Sequence, residues 1–408
     1  MKNNIKLIKS NLRIDAQIEL PGSKSESNRA LIISALSGPD SQLLNLSSAR
    51  DTDTMQRLIQ SNESELDVLD AGTTMRFLTS YLAVTNQVKT LTGTPRMQKR
   101  PIKVLVDALR KIGADISYLN EEGYPPISIK GFTDQKSDKI EVRADISSQY
   151  ISSLLMSAPI LPDGLTINLQ GQFISQPYVK MTIAIMKHFG VEVETGEHGF
   201  SVKPQQYKTN VFEVESDWSN ASYWYSMVAI SENGQLFLKG LKSESHQGDS
   251  AIAGIMKNFG VESKFVSGGV EISKCPINLP ETIDFIDCPD LAQTVSVVCA
   301  ALGHKCTFTG LQTLKIKETD RVAAIKAEIR KFNADLVELD NEWVLEPSSK
   351  EQIASNSLDI YTYDDHRMAM AFAPLALLTN VFFDDKTVVN KSYPGFWDDI
   401  TRAGITIE

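Results

Sequence analysis

One phrase recurs along this chain and limits what the chain can fold into. An apolar pattern of helical period ends on Gly or Asn, and a short β-type run follows. Residues 104–112 carry it, closed by Gly113 and followed by Ala114-Asp115-Ile116. It returns at 181–189 before Gly190, at 252–259 before Gly260 and at 322–332 before Asn333. Weaker copies lie at 52–59 and, before Gly404, at 396–403. Apolar residues spaced by three and four mark a helix with one buried face, and Gly and Asn tolerate the left-handed turn just past a helix end. Most copies are about 70–80 residues apart, and 408 residues shared among six copies gives about 68 each, enough for one α/β unit.

Six such units are too many for one core, so two domains of three units each are expected. Alternating stretches such as Leu165-Thr166-Ile167-Asn168-Leu169 and Gln235-Leu236-Phe237-Leu238 supply strands between the helices. No Gly/Ser linker marks a boundary. The turn before Pro21 and the segment Glu215-Ser216-Asp217-Trp218-Ser219 are the candidate crossings. A double crossover there makes residues 19–218 one domain and residues 1–18 plus 219–408 the other.

Composition narrows the function. A formal charge of −10 argues against nucleic-acid binding through overall positive potential. Any anionic substrate must therefore be held by a local cluster of cations. The N-terminal stretch from Met1 to Lys9 has no long apolar core and no small-residue cleavage site, so no secretory signal is expected. The apolar run 368–378 is interrupted by Pro374 and is too short to cross a bilayer. Cys275, Cys288, Cys299 and Cys306 contain no Cys-x-x-Cys pair and read as ordinary buried thiols. A cytoplasmic protein without membrane contact is expected.

Several short stretches put cations and hydroxyls at the starts of helical runs. Pro21-Gly22-Ser23-Lys24-Ser25-Glu26-Ser27-Asn28-Arg29 combines a turn, hydroxyls, Lys24 and Arg29, with Ser25 or Ser27 as the expected N-cap. Asp70-Ala71-Gly72-Thr73-Thr74-Met75-Arg76 offers a turn glycine that permits close approach, with Thr73 or Thr74 as the expected cap. Arg96 stands between Pro95 and Pro101, with Lys99 and Arg100 nearby. Ser147-Ser148-Gln149-Tyr150 and Ser175-Gln176-Pro177-Tyr178 open two further helical runs. In Lys317-Glu318-Thr319-Asp320-Arg321 the two cations share a face if the segment is a first helical turn. Asp290 follows Pro289 as either a general base or an acid favoured by a helix dipole. Asp364-Asp365-His366-Arg367 ends a strand-like Ile360-Tyr361-Thr362-Tyr363, and Lys391 precedes Ser392-Tyr393-Pro394. His366 has no partner at metal-ligand spacing. Each stretch alone is explained by capping or a solvated turn. Together they suit a small molecule carrying several negative charges.

Read in order, PGSKSESNRA, DAGTTMRFL, TGTPRMQKRPI, SSQY, SQPY, KETDR, YDDHRMAM and NKSYPGF resemble the enolpyruvyl transferase family, in its shikimate 3-phosphate branch. They run from residue 21 to residue 396. The resemblance implies a two-domain inverted α/β barrel-like fold of six βαβαββ repeats, three per domain, with the active site in the interdomain cleft. It implies transfer of the enolpyruvyl group of phosphoenolpyruvate to the 5-hydroxyl of shikimate 3-phosphate, by a monomer needing no metal or cofactor. Shikimate 3-phosphate would be held by Lys24, Ser25, Arg29, Ser147, Ser148, Gln149, Ser175, Tyr178, Asp290 and Lys317. Phosphoenolpyruvate would be held by Lys24, Gly72, Arg96, Gln149, Arg321, Arg367 and Lys391. The catalytic residues would be Asp290, which takes the proton of the attacking hydroxyl, Glu318, which exchanges a proton with the methylene carbon, and Lys24, which touches both substrates. Glyphosate would compete with phosphoenolpyruvate.

The chain departs from that pattern at Leu69-Asp70, where many members have Gly-Asn, and at Thr313, where many have Asn. With Thr74, Asp70 leaves the strength of glyphosate binding open. Two alternatives stand beside the main reading. The UDP-N-acetylglucosamine enolpyruvyl transferases share the donor, but typically carry a reactive cysteine in the domain that here holds Gly72 and Arg96. All four cysteines of this chain lie between 275 and 306. A non-catalytic anion binder of the same fold is the other.

Overall fold

In the computed structural model, which describes residues 3–10, 13–347, 350–354 and 357–408, the recurring phrase proves to be half of a six-element unit. Met1 and Lys2 of the N-terminal stretch lie outside the described residues. Strand Glu65–Asp67 leads into helix Gly72–Val84, strand Lys89–Thr92, helix Lys103–Ile112, and strands Ala114–Tyr118 and Ile127–Phe132. The first two strands pair in parallel, and the last strand of the hairpin inserts antiparallel beside the second. The sheet therefore reads first, second, fourth, third. Gly113 closes the second helix at φ 116°, a conformation that costs a residue with a Cβ far more, and delivers the chain straight into the hairpin.

The two helices of a unit differ in what they bury. Lys103–Ile112 buries one face through Leu105, Val106, Leu109 and Ile112. Gly72–Val84 is buried almost all round, including Thr74, Arg76, Thr79 and Ser80, as expected of a helix with neighbours on every side. Its polar side chains must then find partners inside the protein.

The same order recurs with strands Lys139–Arg143, Leu165–Gln170, Glu194–Gly196 and Gly199–Val202 around helices Ser148–Ser157 and Gln176–His188. It recurs again with strands Thr282–Asp284, Cys306–Thr309, Asp335–Leu339 and Glu342–Glu346. Two more sheets are completed from the N-terminus. Arg13–Glu19 pairs in parallel with Asn233–Lys239, and Ile5–Ile8 sits between Val381–Phe383 and Thr406–Ile407. The sixth unit is abbreviated. Among the described residues it holds only Gln42–Leu44 paired in parallel with Val211–Glu213, beside helices Lys24–Ser37 and Arg50–Ile59.

The chain divides into two units, Ser23–Val214 and Met1–Gly22 with Glu215–Glu408, each holding three of these sheets. It passes from one to the other at Gly22/Ser23 and again at Val214/Glu215. Each unit has its own apolar core. Among the described residues all the sheets are open, with none closed into a barrel.

Local readings differ from the sequence expectation in a few places. The run 191–193 is not a strand; the strand begins at Glu194. The helix Arg50–Ile59 ends on Gln60 in the right-handed region, without a Gly or Asn stop. Cys275 is partly exposed while the other three cysteines are buried. No helix among the described residues is long and apolar enough to cross a membrane.

Candidate functional site

The predicted residues of unit Ser23–Val214 gather at the starts of its buried helices. Ser23, not Ser25 or Ser27, caps helix Lys24–Ser37, its side chain accepting from the Glu26 amide at 3.4 Å. Lys24 and Ser25 therefore occupy the first turn. Lys24 Nζ lies 3.7 Å from the buried carboxylate of Asp51. Helix Gly72–Val84 has Ala71 at its cap position and no side-chain cap bond, so neither Thr73 nor Thr74 serves as the cap. Thr74 instead donates to the Asp51 carbonyl at 3.3 Å, while Thr73 accepts from Gln149 Nε2 at 3.2 Å. Lys24, Gly72 and Gln149 are thereby tied into one neighbourhood through Asp51, Thr74 and Thr73.

Gly72 leaves room for a neighbouring side chain. A Cβ on it would stand 2.7 Å from the guanidinium nitrogens of Arg100, and the Arg100 side chain is itself buried. Arg96 is different. It is exposed at the start of the short turn Met97–Lys99. That turn is fastened to residues 69–72 by Gly93, where a Cβ would come within 2.5 Å of the Leu69 carbonyl, and by Thr94 N–H donating to the same oxygen at 3.0 Å.

Arg29 anchors a second group in this unit. It is buried over the ring of Phe77, and donates to the Ser25 carbonyl at 2.8 Å, Thr182 Oγ1 at 2.7 Å and Ser152 Oγ at 3.3 Å. Burial pulls its pKa down to about 10, opposed by the nearby Tyr178 and Glu26, so it remains a cation. A guanidinium has five N–H groups, two more than these bonds use. Ser147 caps helix Ser148–Ser157, accepting from the Gln149 amide at 3.3 Å. Ser175, by contrast, stands before helix Gln176–His188 at φ 53° with no side-chain cap bond. Its hydroxyl is therefore not the cap that the sequence suggests.

In the other unit the charged residues bond mostly to one another. Asp320 caps helix Arg321–Ile329, and Lys317 precedes it in extended backbone. Lys317 and Arg321 are therefore not on one helical face, yet both reach Asp290, at 3.7 and 2.9 Å. Arg321 is buried and forms three carboxylate contacts: Asp290 at 2.9 Å, Glu318 at 2.8 Å and Asp365 at 2.7 Å. Arg367 donates to the second oxygen of Asp290 at 2.9 Å, and to Tyr223 and Ser219 at 3.3 Å each. Lys391 is also buried, its Nζ 3.9 Å from Glu318. Thr313 lies in the short 3-10 turn Gln312–Ile316.

The positions of these charges set their proton affinities. Burial pushes Asp290 up, but Arg367, Lys317 and Arg321 outweigh it and hold the carboxyl well below the usual range. Asp249 goes the other way. Burial and the neighbouring Asp290 push it up to about 6, against the pull of Arg367 and its bond from Ser219. Burial likewise carries the Tyr223 phenol up to about 12. One cluster thus holds a carboxylate kept ionised and a second carboxyl whose proton is held more tightly than usual.

The match to known proteins covers nearly the whole chain. The family model described as EPSP synthase (3-phosphoshikimate 1-carboxyvinyltransferase) matches residues 8–67 and 56–400. A 3-phosphoshikimate 1-carboxyvinyltransferase of Bacteroides fragilis is 45% identical over 407 residues, 98% of each chain. The chain belongs to the EPSP synthase family. A family relative from Vibrio atlanticus, of the same description, is 34% identical, with 96% of this chain and 98% of that one covered. Among solved structures, an EPSP synthase from Acinetobacter baumannii superposes with a TM-score of 0.79 over 99% of both chains. At 19% identity that likeness speaks for the fold.

Sequence reasoning gave no role to several members of these groups. Asp51 and Arg100 matter through contacts with Lys24 and Gly72, which no local pattern announces. Asp365 stood inside a quoted motif without a role, although a residue capping a helix from Asp-His-Arg is a recognisable signal. Asp249 gave no signal, because its burial against Asp290 is set by the fold.

Proposed function

We propose that this chain transfers the enolpyruvyl group of phosphoenolpyruvate to the 5-hydroxyl of shikimate 3-phosphate, releasing phosphate, in chorismate and aromatic amino acid biosynthesis. The observation that carries the geometry is Arg321. One buried guanidinium touches both carboxylates assigned to proton transfer, Asp290 and Glu318. Addition across the donor's double bond needs a base at the hydroxyl and an acid at the methylene carbon, acting on different atoms. Asp290 accepts the hydroxyl proton as oxygen bonds to C2, and Glu318 delivers a proton to C3, giving the tetrahedral intermediate. Collapse returns the C3 proton to Glu318 and expels phosphate, which takes up the hydroxyl proton that Asp290 had accepted, so both carboxyl groups return to their starting states.

Two further features support the assignment. Asp290 is ionised, as a base must be, but the cations around it make it a weak proton acceptor. An incoming donor anion takes a share of Arg321 and Arg367, and each share returns basicity to Asp290. Phosphoenolpyruvate thereby sharpens the base that its own reaction requires. The remaining roles fall to Lys24, Gly72, Arg96, Gln149 and Lys391 for the donor. For the acceptor they fall to Lys24, Ser25, Arg29, Ser147, Ser148, Gln149, Ser175, Tyr178 and Lys317. The protein works as a cytoplasmic monomer on these two small molecules, apart from nucleic acid and membrane.

The test is phosphate release with both substrates present. Turnover of shikimate 3-phosphate is expected. Turnover of UDP-N-acetylglucosamine in its place, or of neither acceptor, would overturn the reading.

A further inference from the structure

The start of helix Arg50–Ile59 carries two opposite charges in consecutive positions, and each is paired at a different part of the donor neighbourhood. Asp51 faces Lys24 at 3.7 Å, and its carbonyl receives the Thr74 hydroxyl at 3.3 Å. Arg50 turns the other way and donates to Asp70 Oδ1 at 2.9 Å. Asp70 precedes Gly72 by one intervening residue, at the positive end of a 13-residue helix that has no side-chain cap. A fixed carboxylate there interacts with the same helix-end charge that an anionic ligand would use. It also repels that ligand directly.

The turn that carries Asp70 is specialised in its backbone as well. Leu69 takes φ 55°, a left-handed conformation uncommon for a branched residue. Its N–H is held by Asp67 Oδ1 at 2.7 Å, and its carbonyl by Thr94 N–H at 3.0 Å. Asp70 therefore cannot simply swing away from the helix start with its backbone. Its charge has to be cancelled where it stands.

We propose that Arg50 is a positioning residue for phosphoenolpyruvate. By pairing with Asp70 it cancels the carboxylate beside the Gly72 helix start, so that an anionic donor can settle there. This rests on the donor-binding role given above to Gly72. The effect is on donor affinity, not on proton transfer. Because Arg50 is half exposed, it is also sensitive to ionic strength.

Steady-state phosphate release on the full chain tests this, with both substrates varied in turn. For Arg50→Ala the KM for phosphoenolpyruvate should rise about three- to fivefold, while kcat and the KM for shikimate 3-phosphate change by under about twofold. Arg50→Lys should keep most of the wild-type affinity. The double change R50A with D70N should return the donor KM to near the wild-type value, which a merely structural loss would not do. The ratio of the Arg50→Ala KM to the wild-type KM should shrink toward one as salt is raised. Arg50→Gln replaces Arg50→Ala if thermal melting shows the latter unfolded.

An unchanged donor KM, equal rises for both substrates, or a double variant no better than R50A would each overturn the inference while leaving the enolpyruvyl-transfer reading intact. Absence of wild-type turnover on this substrate pair would overturn both.

Discussion

In unit Ser23–Val214 the buried guanidinium of Arg29 bonds to neutral oxygens, whereas in the other unit that of Arg321 bonds to carboxylates. Arg29 spends its bonds on a carbonyl and two hydroxyls. Arg321 spends its bonds on three carboxylates. Neutral partners hold a cation in place without cancelling it, which suits recognition of an anionic ligand. Carboxylate partners cancel charge and shift each other's proton affinities, which suits proton transfer. In the proposed reaction cations of both units hold the ligands, while the two proton-transfer carboxylates belong to one unit alone.

The sharpest way to break this comparison is to remove a proton-transfer group. Glu318→Gln and Asp290→Asn should each lower kcat by about 10²–10⁴, with shikimate 3-phosphate affinity by calorimetry much less affected. Equal losses in rate and affinity would erase the distinction between the units. Lys24→Ala comes next. It should slow turnover severely and, unlike those two, weaken both ligands by about tenfold or more, in keeping with a charge-assisted contact to each. A wild-type turnover number would remove Lys24 from the shared role.

Gly72→Ala sharpens the comparison on the holding side. The added Cβ meets Arg100 at 2.7 Å, so the buried guanidinium must shift. The KM for phosphoenolpyruvate should rise about five- to tenfold with a smaller change in kcat, since loss of a single ligand contact is worth about 1–1.5 kcal/mol. A kcat loss with unchanged donor KM would contradict a holding role.

The smallest effect concerns pH and stability. Asp249 is raised from its ordinary 3.8 to about 6, so the native state binds its proton more tightly than the unfolded chain does. The stability it contributes is fully present below about 3.8 and is lost as pH rises through about 6. Asp249→Asn keeps an acceptor for Ser219 and removes the buried charge. It should raise the melting temperature by a few degrees at pH 7.5 and by clearly less at pH 4.5. A gain independent of pH would show that Asp249 does not titrate in this range.

What the sequence revealed and what it concealed divide along the range of the interactions involved. Gly113, Gly190, Gly260 and Asn333 end helices by a local backbone conformation, so the repeat was legible from spacing alone. The six-unit count held, but the abbreviation of one unit did not show, because Gln42–Leu44 finds its partner at Val211–Glu213 far along the chain. Nor did it show that Ile5–Ile8 and Arg13–Glu19 complete sheets begun beyond residue 232. The caps at Ser23 and Ala71 were expected two to four residues further on, since several hydroxyls compete locally and packing chooses among them. The site motifs were legible as residue types. Their wiring was not: the pairing of Asp290 with both Arg321 and Arg367, and of Arg50 with Asp70, exists only in three dimensions.

The buried knot of Arg321 with Asp290, Glu318 and Asp365 has a consequence for how this protein can evolve. Buried ion clusters often contribute less stability than apolar groups of the same volume. Breaking one partner alone, however, strands the others and is strongly unfavourable. A population selected only for thermal endurance would therefore have an incentive to replace the whole set by apolar residues, yet would have to cross deeply unstable single-step variants to do so. The ruggedness of that route opposes loss of the cluster in the same direction as its proposed catalytic role would.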